Sequence, residues 1–174
     1  SKGLVIPLHG YHSNFPESFK ASALQALGRI KLGNQAKSLQ DMSCSNIEEA
    51  ITFLRKLKKI AQAKKLDRIV ILWDEFGRNI EKLLSEGQSS RLNEVQLLAE
   101  FASRSKNLPI VISLLLHQGL LSYASNIPQS IRSEWIKIEG RFQSLQYVDD
   151  SKEIYQLISE VVNHQNGSSE VKPK

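Results

Sequence analysis

Arg68-Ile69-Val70-Ile71-Leu72-Trp73-Asp74-Glu75 is the stretch on which the fold turns. Five apolar residues in succession, three of them β-branched, predict a strand, and the two acids behind them predict its end. A run without alternation is the pattern of a strand buried on both faces, as in the centre of a parallel sheet. Leu4-Val5-Ile6-Pro7-Leu8, stopped by His9-Gly10, reads the same way, and so do residues 109–116. A brief further strand is expected near residues 145–148.

Helical patterns separate these runs. Asn14, Pro16 and Glu17 predict a capped helix start, followed by an apolar face of Phe19, Ala23, Leu27 and Ile30. Gly33 and Asn34 are read as the end of that unit, with a polar loop running to Asn46. Asn46 and Glu49 repeat the capping pattern before a stripe of Ile47, Ala50, Ile51, Leu54, Leu57 and Ala61. Leu92, Val95, Leu98, Ala99 and Ala102 predict another helix, shorter ones are expected over 119–124 and 129–136, and Asp150 caps a last one. Strands alternating with helices of this length mean βα units. The expected class is therefore α/β, a parallel sheet with helices on both faces. Residues 1–165 are expected to form one such domain and 166–174 a disordered polar tail.

The chain has 174 residues, 41% hydrophobic and 24% charged, enough for one sizeable core. The single cysteine, Cys44, excludes an internal disulfide and suits a reducing compartment. No apolar stretch approaches the roughly 20 residues of a membrane helix, and the N-terminal apolar run is too short for a signal peptide. The expectation is a cytoplasmic protein without a membrane partner. Net charge is +5, yet Arg55, Lys56, Lys58, Lys59, Lys64, Lys65 and Arg68 face only Asp67 within their segment. The Arg55–Arg68 segment thus carries the whole basic excess. It can meet nucleic-acid phosphates or simply be the solvated face of a helix.

Ligands of parallel sheets bind at the carboxyl ends of strands. Asp74-Glu75 in that position is the Walker B pattern: the Asp holds Mg²⁺ through water and the Glu polarises the water that attacks a γ-phosphate. The competing reading is that one of them caps a helix starting near Gly77. His117-Gln118 closes the 109–116 run with a second polar strand end. Gly140-Arg141-Phe142 offers an arginine whose planar fork matches phosphate oxygens, or else a surface ion pair. The phosphate-binding motif G-x-x-x-x-G-K-[ST] does not occur. The nearest strand–turn–helix, residues 10–17, lacks its second glycine and its lysine.

The block Val70-Ile71-Leu72-Trp73-Asp74-Glu75-Phe76-Gly77-Arg78-Asn79-Ile80-Glu81 resembles the Walker B region of large bacterial AAA-type ATP-binding proteins. Leu97 to Ser105 resembles their next helix and Leu115-Leu116-His117-Gln118 their strand ending in Leu-His-Gln. Glu134-Trp135-Ile136-Lys137-Ile138-Glu139-Gly140-Arg141-Phe142 is similar to their Glu-Trp-x-Lys block. Some members of that family sit in phage-defence systems of the BREX type. The resemblance implies that Asp74 and Glu75 are Walker B, that His117 holds the sensor position, and that Arg141 faces phosphate. It also implies a P-loop upstream of Ser1, so that ATP and Mg²⁺ bind only with the remainder of the parent protein. Residues 4–8 become the second strand of the AAA sheet. The missing P-loop strand would leave residues 109–116 with an open edge through which the chain self-associates. The alternative is a non-catalytic nucleic-acid-associated or scaffolding module in which Asp74 and Glu75 are relics.

Overall fold

In the computed structural model, which describes residues 2–124 and 129–145, the three apolar runs form three parallel strands. β1 spans Gly3–His9, β2 Arg68–Asp74 and β3 Ile110–Leu114, in the order β1-β2-β3. The Arg68 strand is central, as its composition predicts. Pro7 falls in an outer strand, where a missing N–H is tolerated. Val5, Val70 and Val111 lie side by side in register, and His9 stands opposite Asp74 at the carboxyl end. The β2–β3 ladder reaches a residue further at each end, since Ile69 N donates to Pro109 O and Leu115 N to Trp73 O.

Burial along the strands alternates, which corrects the expectation of helices on both faces. Leu4, Ile6, Leu8, Ile69, Ile71, Trp73 and Ile110 point into the core, while Val5 is 49% exposed and Val111 45%. The reason lies in the strand order. Each connection steps to the adjacent strand in the same direction, and right-handed crossovers then place every connecting helix on one face. A second layer requires a connection that runs back, and the described residues contain none. The strands are apolar on two sides but, among the described residues, covered by helices on one.

The covering helices begin where their caps predict. In α1 (Phe15–Arg29) Asn14 Oδ1 accepts from Glu17 N, and in α3 (Ile47–Ala63) Asn46 Oδ1 accepts from Glu49 N at 2.9 Å. Phe19 and Phe53 meet edge to face over the sheet, with ring centroids 5.9 Å apart. The polar loop expected after Gly33 is instead a helix, α2 (Gly33–Gln40). Its only buried residue is Leu39, and one anchor leaves no apolar period to read. α4 (Phe76–Ser85) follows β2. α5 (Leu92–Ser103) follows a 3-10 turn at Ser89–Arg91. A 3-10 turn at Leu120–Ala124 and α6 (Gln129–Glu139) complete the described elements, with Trp135 and Ile138 of α6 buried.

The chain divides into two units, Ser1–Phe142 and Gln143–Lys174. All the elements above belong to the first. The expected strand near 145–148 falls, but for Leu145, outside the described residues, as do the helix after Asp150 and the tail 166–174. Among the described residues no helix is long and apolar enough to cross a membrane.

Candidate functional site

The chain turns sharply at the end of β2. Glu75 adopts φ 51° and ψ 35°, the left-handed region, as the residue before α4. That conformation costs a non-glycine residue roughly 1 kcal/mol or more. The capping alternative does not account for either acid. Asp74 Oδ1 accepts from its neighbour Glu75 N at 2.8 Å, and Glu75 makes no side-chain cap bond to α4. Surrounding contacts hold the turn. Phe76 N donates to Leu115 O at 3.1 Å, Gly10 N donates to Asp74 O at 2.9 Å, and the Phe76 ring packs edge-on against Trp73 at 4.8 Å. Gly77 lies beneath Tyr123, so close that a Cβ there would overlap the phenol and sit 2.6 Å from its Cζ.

Four ionisable side chains, His9, Asp74, Glu75 and Arg78, meet at the turn. His9 Nδ1 lies 3.6 Å from Asp74 Oδ2, and its Nε2 lies 3.3 Å from Glu75 Oε2. Arg78 Nη1 approaches the same Glu75 oxygen at 3.1 Å. Neither neighbour is aligned to donate a hydrogen bond, so the buried Oε2 keeps an unused acceptor. The Asp74 side chain, by contrast, is 56% exposed. One carboxylate thus faces water while the other presents a shielded lone pair beside it. Sequence reading did not find His9. Its signal was a polar residue closing an apolar run, and only the β1–β2 register makes it Asp74's neighbour.

The β1–α1 loop is moored around this end of the sheet. Trp73 Nε1 donates to Gly10 O at 2.9 Å, with Gly10 at φ 65°, and the Trp73 ring stacks on Phe15 at 4.9 Å. His12 N donates to Asn79 Oδ1, a buried side chain. Burial pushes the His12 imidazole pKa below its ordinary value, and its Nε2 is enclosed without a partner. Tyr11 Oη donates to Glu86 at 2.8 Å, which raises the tyrosine's pKa and lowers the glutamate's. Arg91 Nη1 donates to Ser13 O at 2.7 Å.

His117 lies three residues past the end of β3, on the carboxyl edge that β1 and β2 share, and its side chain is exposed. Arg141 is not brought to this edge cluster: its Nη2 pairs with Glu100 Oε1 of α5 at 2.6 Å. Among the described residues no three His, Cys, Asp or Glu side chains are arranged to enclose a metal ion. Mg²⁺ does not require such a cage, since it keeps several waters and takes one or two carboxylates plus phosphate oxygens. The exposed Asp74 carboxylate would suit that mode, and Glu75 beside it would supply a second carboxylate.

Comparison of the chain with protein families, curated proteins and solved structures finds no match.

Proposed function

We propose that this chain is the Walker B portion of an AAA-type ATPase core and acts as part of a nucleotide-driven motor or switch in the cytoplasm. Asp74 is the Mg²⁺-side carboxylate, Glu75 polarises the attacking water, and His117 stands at the sensor position. The observation that carries this reading is the turn at Glu75. A strained residue with no capping duty holds a shielded carboxylate oxygen at the carboxyl end of the central strand. His9 and Arg78 flank that carboxylate and orient it.

The open face supports the same reading. A parallel strand added outside β3 has to return to β1 against the direction of the other connections. A right-handed crossover of that kind lays its helix over Val5, Val70 and Val111. The AAA arrangement places the P-loop strand beside the strand that ends at His117. Its phosphate-binding turn then opens onto the edge that carries His9, Asp74, Glu75 and His117. ATP and Mg²⁺ would bind only in the completed core, with Asp74 on the ion's side, and a bound Mg²⁺ would there neutralise phosphate charge. Arg141 reaches a phosphate only if its pair with Glu100 opens. The phage-defence setting rests on the sequence resemblance alone.

The test is ATP turnover by the longer protein that carries this segment. Glu75→Gln lowers kcat by about 100-fold or more, the scale of a lost general base, while ATP binding persists. Asp74→Ala weakens the dependence on Mg²⁺ concentration. Unchanged turnover in Glu75→Gln overturns the assignment. The isolated chain has no measurable turnover, and micromolar ATP affinity by calorimetry would contradict its need for a P-loop.

A further inference from the structure

The cations of α3 gather into a larger basic face than the sequence shows. Ala50, Phe53, Leu54, Leu57 and Ala61 turn toward the core, which leaves Arg55, Lys56 and Lys59 exposed on the far side. Lys64 and Lys65 follow, exposed, in the turn before β2, whereas Arg68 opens β2 on the sheet face it shares with Val70. The fold adds Arg104 and Lys106 from the turn between α5 and β3, both exposed. Two contacts join the parts: Lys58 Nζ donates to Lys106 O at 2.6 Å, and the Arg55 guanidinium lies over the Phe101 ring at 5.4 Å.

Among the described residues none of Arg55, Lys56, Lys58, Lys59, Lys64, Lys65, Arg104 and Lys106 forms an ion pair, whereas Arg78, Lys82, Arg91 and Arg141 each pair with a glutamate. The adjacent acids are engaged: Glu100 by Arg141 and Asp67 by the Lys2 backbone N–H. Like charges left together on one face repel one another, and a polyanion relieves that repulsion.

We infer that this face, built from α3 and the α5–β3 turn, binds the phosphate backbone of nucleic acid. A membrane surface fits it less well, because an interfacial helix inserts apolar side chains. The apolar stripe of α3 is buried, and the exposed large apolar residues Val5, Ile30, Val111, Leu115, Ile136 and Leu145 lie outside α3 and the α5–β3 turn. Its Lys64, Lys65, Arg104 and Lys106 lie toward the amino ends of β2 and β3, the end opposite Asp74. The inference therefore does not depend on the nucleotide reading, and its test needs no ATP.

The experiment is fluorescence anisotropy of a short labelled DNA duplex titrated with the whole chain at about 50 and about 200 mM salt. Binding is expected at low salt and at least about tenfold weaker at the higher, with a log–log slope near −0.9 per phosphate contact. Lys56→Glu with Lys59→Glu weakens binding about tenfold or more with an unchanged circular dichroism spectrum. Lys82→Glu with Arg132→Glu, the same change of net charge elsewhere, leaves it within a factor of about two or three. No binding at low salt, or equal loss in both double variants, overturns the inference. So does binding to phosphatidylserine vesicles without binding to DNA.

Discussion

His9 Nε2 lies 3.3 Å from Glu75 Oε2, and the same imidazole reaches Asp74 through its other nitrogen. One side chain of an outer strand thus touches both acids at the end of the central strand. The contact exists because β1 and β2 pair in a register that sets His9 opposite Asp74 and because Glu75 turns left-handed immediately afterwards. Four predictions follow from how this end of the sheet and its surroundings are built.

The left-handed turn can be separated from the carboxylate it carries. Glu75→Gly and Glu75→Ala both remove the acid, but only glycine enters φ 51° without strain. The glycine variant is expected to be more stable than the alanine variant by about 1 kcal/mol in urea unfolding. Equal midpoints for the two would mean that the chain does not turn this way in solution.

Gly77 has a different constraint, one of space rather than of dihedral angle. Gly77→Ala drives a methyl into the Tyr123 phenol and is expected to cost about 1–3 kcal/mol. Adding Tyr123→Ala should restore much of the loss, since the clash needs both side chains. A Gly77→Ala variant as stable as the parent chain would place Tyr123 elsewhere.

Cys44 is buried, its Sγ 3.1 Å from Pro16 O, and desolvation pushes the thiol pKa up to about 11. Its thiolate fraction near pH 8 is then about two orders of magnitude below that of a free cysteine. Alkylation by iodoacetamide should be correspondingly slow in the folded chain and rapid in urea. The fold prefers the protonated thiol. That contribution is fully present below the unfolded pKa and is lost as pH rises from about 9 toward 11. Fast labelling of the native chain would contradict the burial.

β3 pairs only with β2 among the described residues, and its Val111 is 45% exposed. Unpaired edge groups beside uncovered apolar side chains favour pairing with another chain. The chain alone should elute above its 19.6 kDa mass in chromatography with light scattering, and Val111→Lys should shift it toward monomer. A monomer at every concentration would show that the edge is protected.

Much of the fold was legible because its signals are local. Asn14 and Asn46 act as the caps their spacing implies, and the three apolar runs are the three strands. α2 was not legible, since Leu39 alone ties it to the core and one residue has no period. The strand patterns misled on the second layer. Val5, Val70 and Val111 look like core residues in sequence, but the strand order leaves their side of the sheet uncovered. In the candidate site, Asp74, Glu75 and His117 could be named from strand ends, whereas Arg141, named from its glycine turn, pairs with Glu100 instead. His9 could not, and neither could the pairing of Arg141 with Glu100.

By itself the sequence determined the three strands, the capped starts of α1 and α3, the central place of the Arg68 strand and the two acids at its end. Each follows from side-chain period or from chemistry within a few residues of chain. Tertiary structure alone decided which residues meet across strands. It brought His9 to Asp74 and Glu75, joined Lys106 to Lys58, drew Arg141 to Glu100, and, among the described residues, left Val5 and Val111 exposed on one face of the sheet. Register and crossover direction are properties of paired strands, and no single stretch of chain carries them.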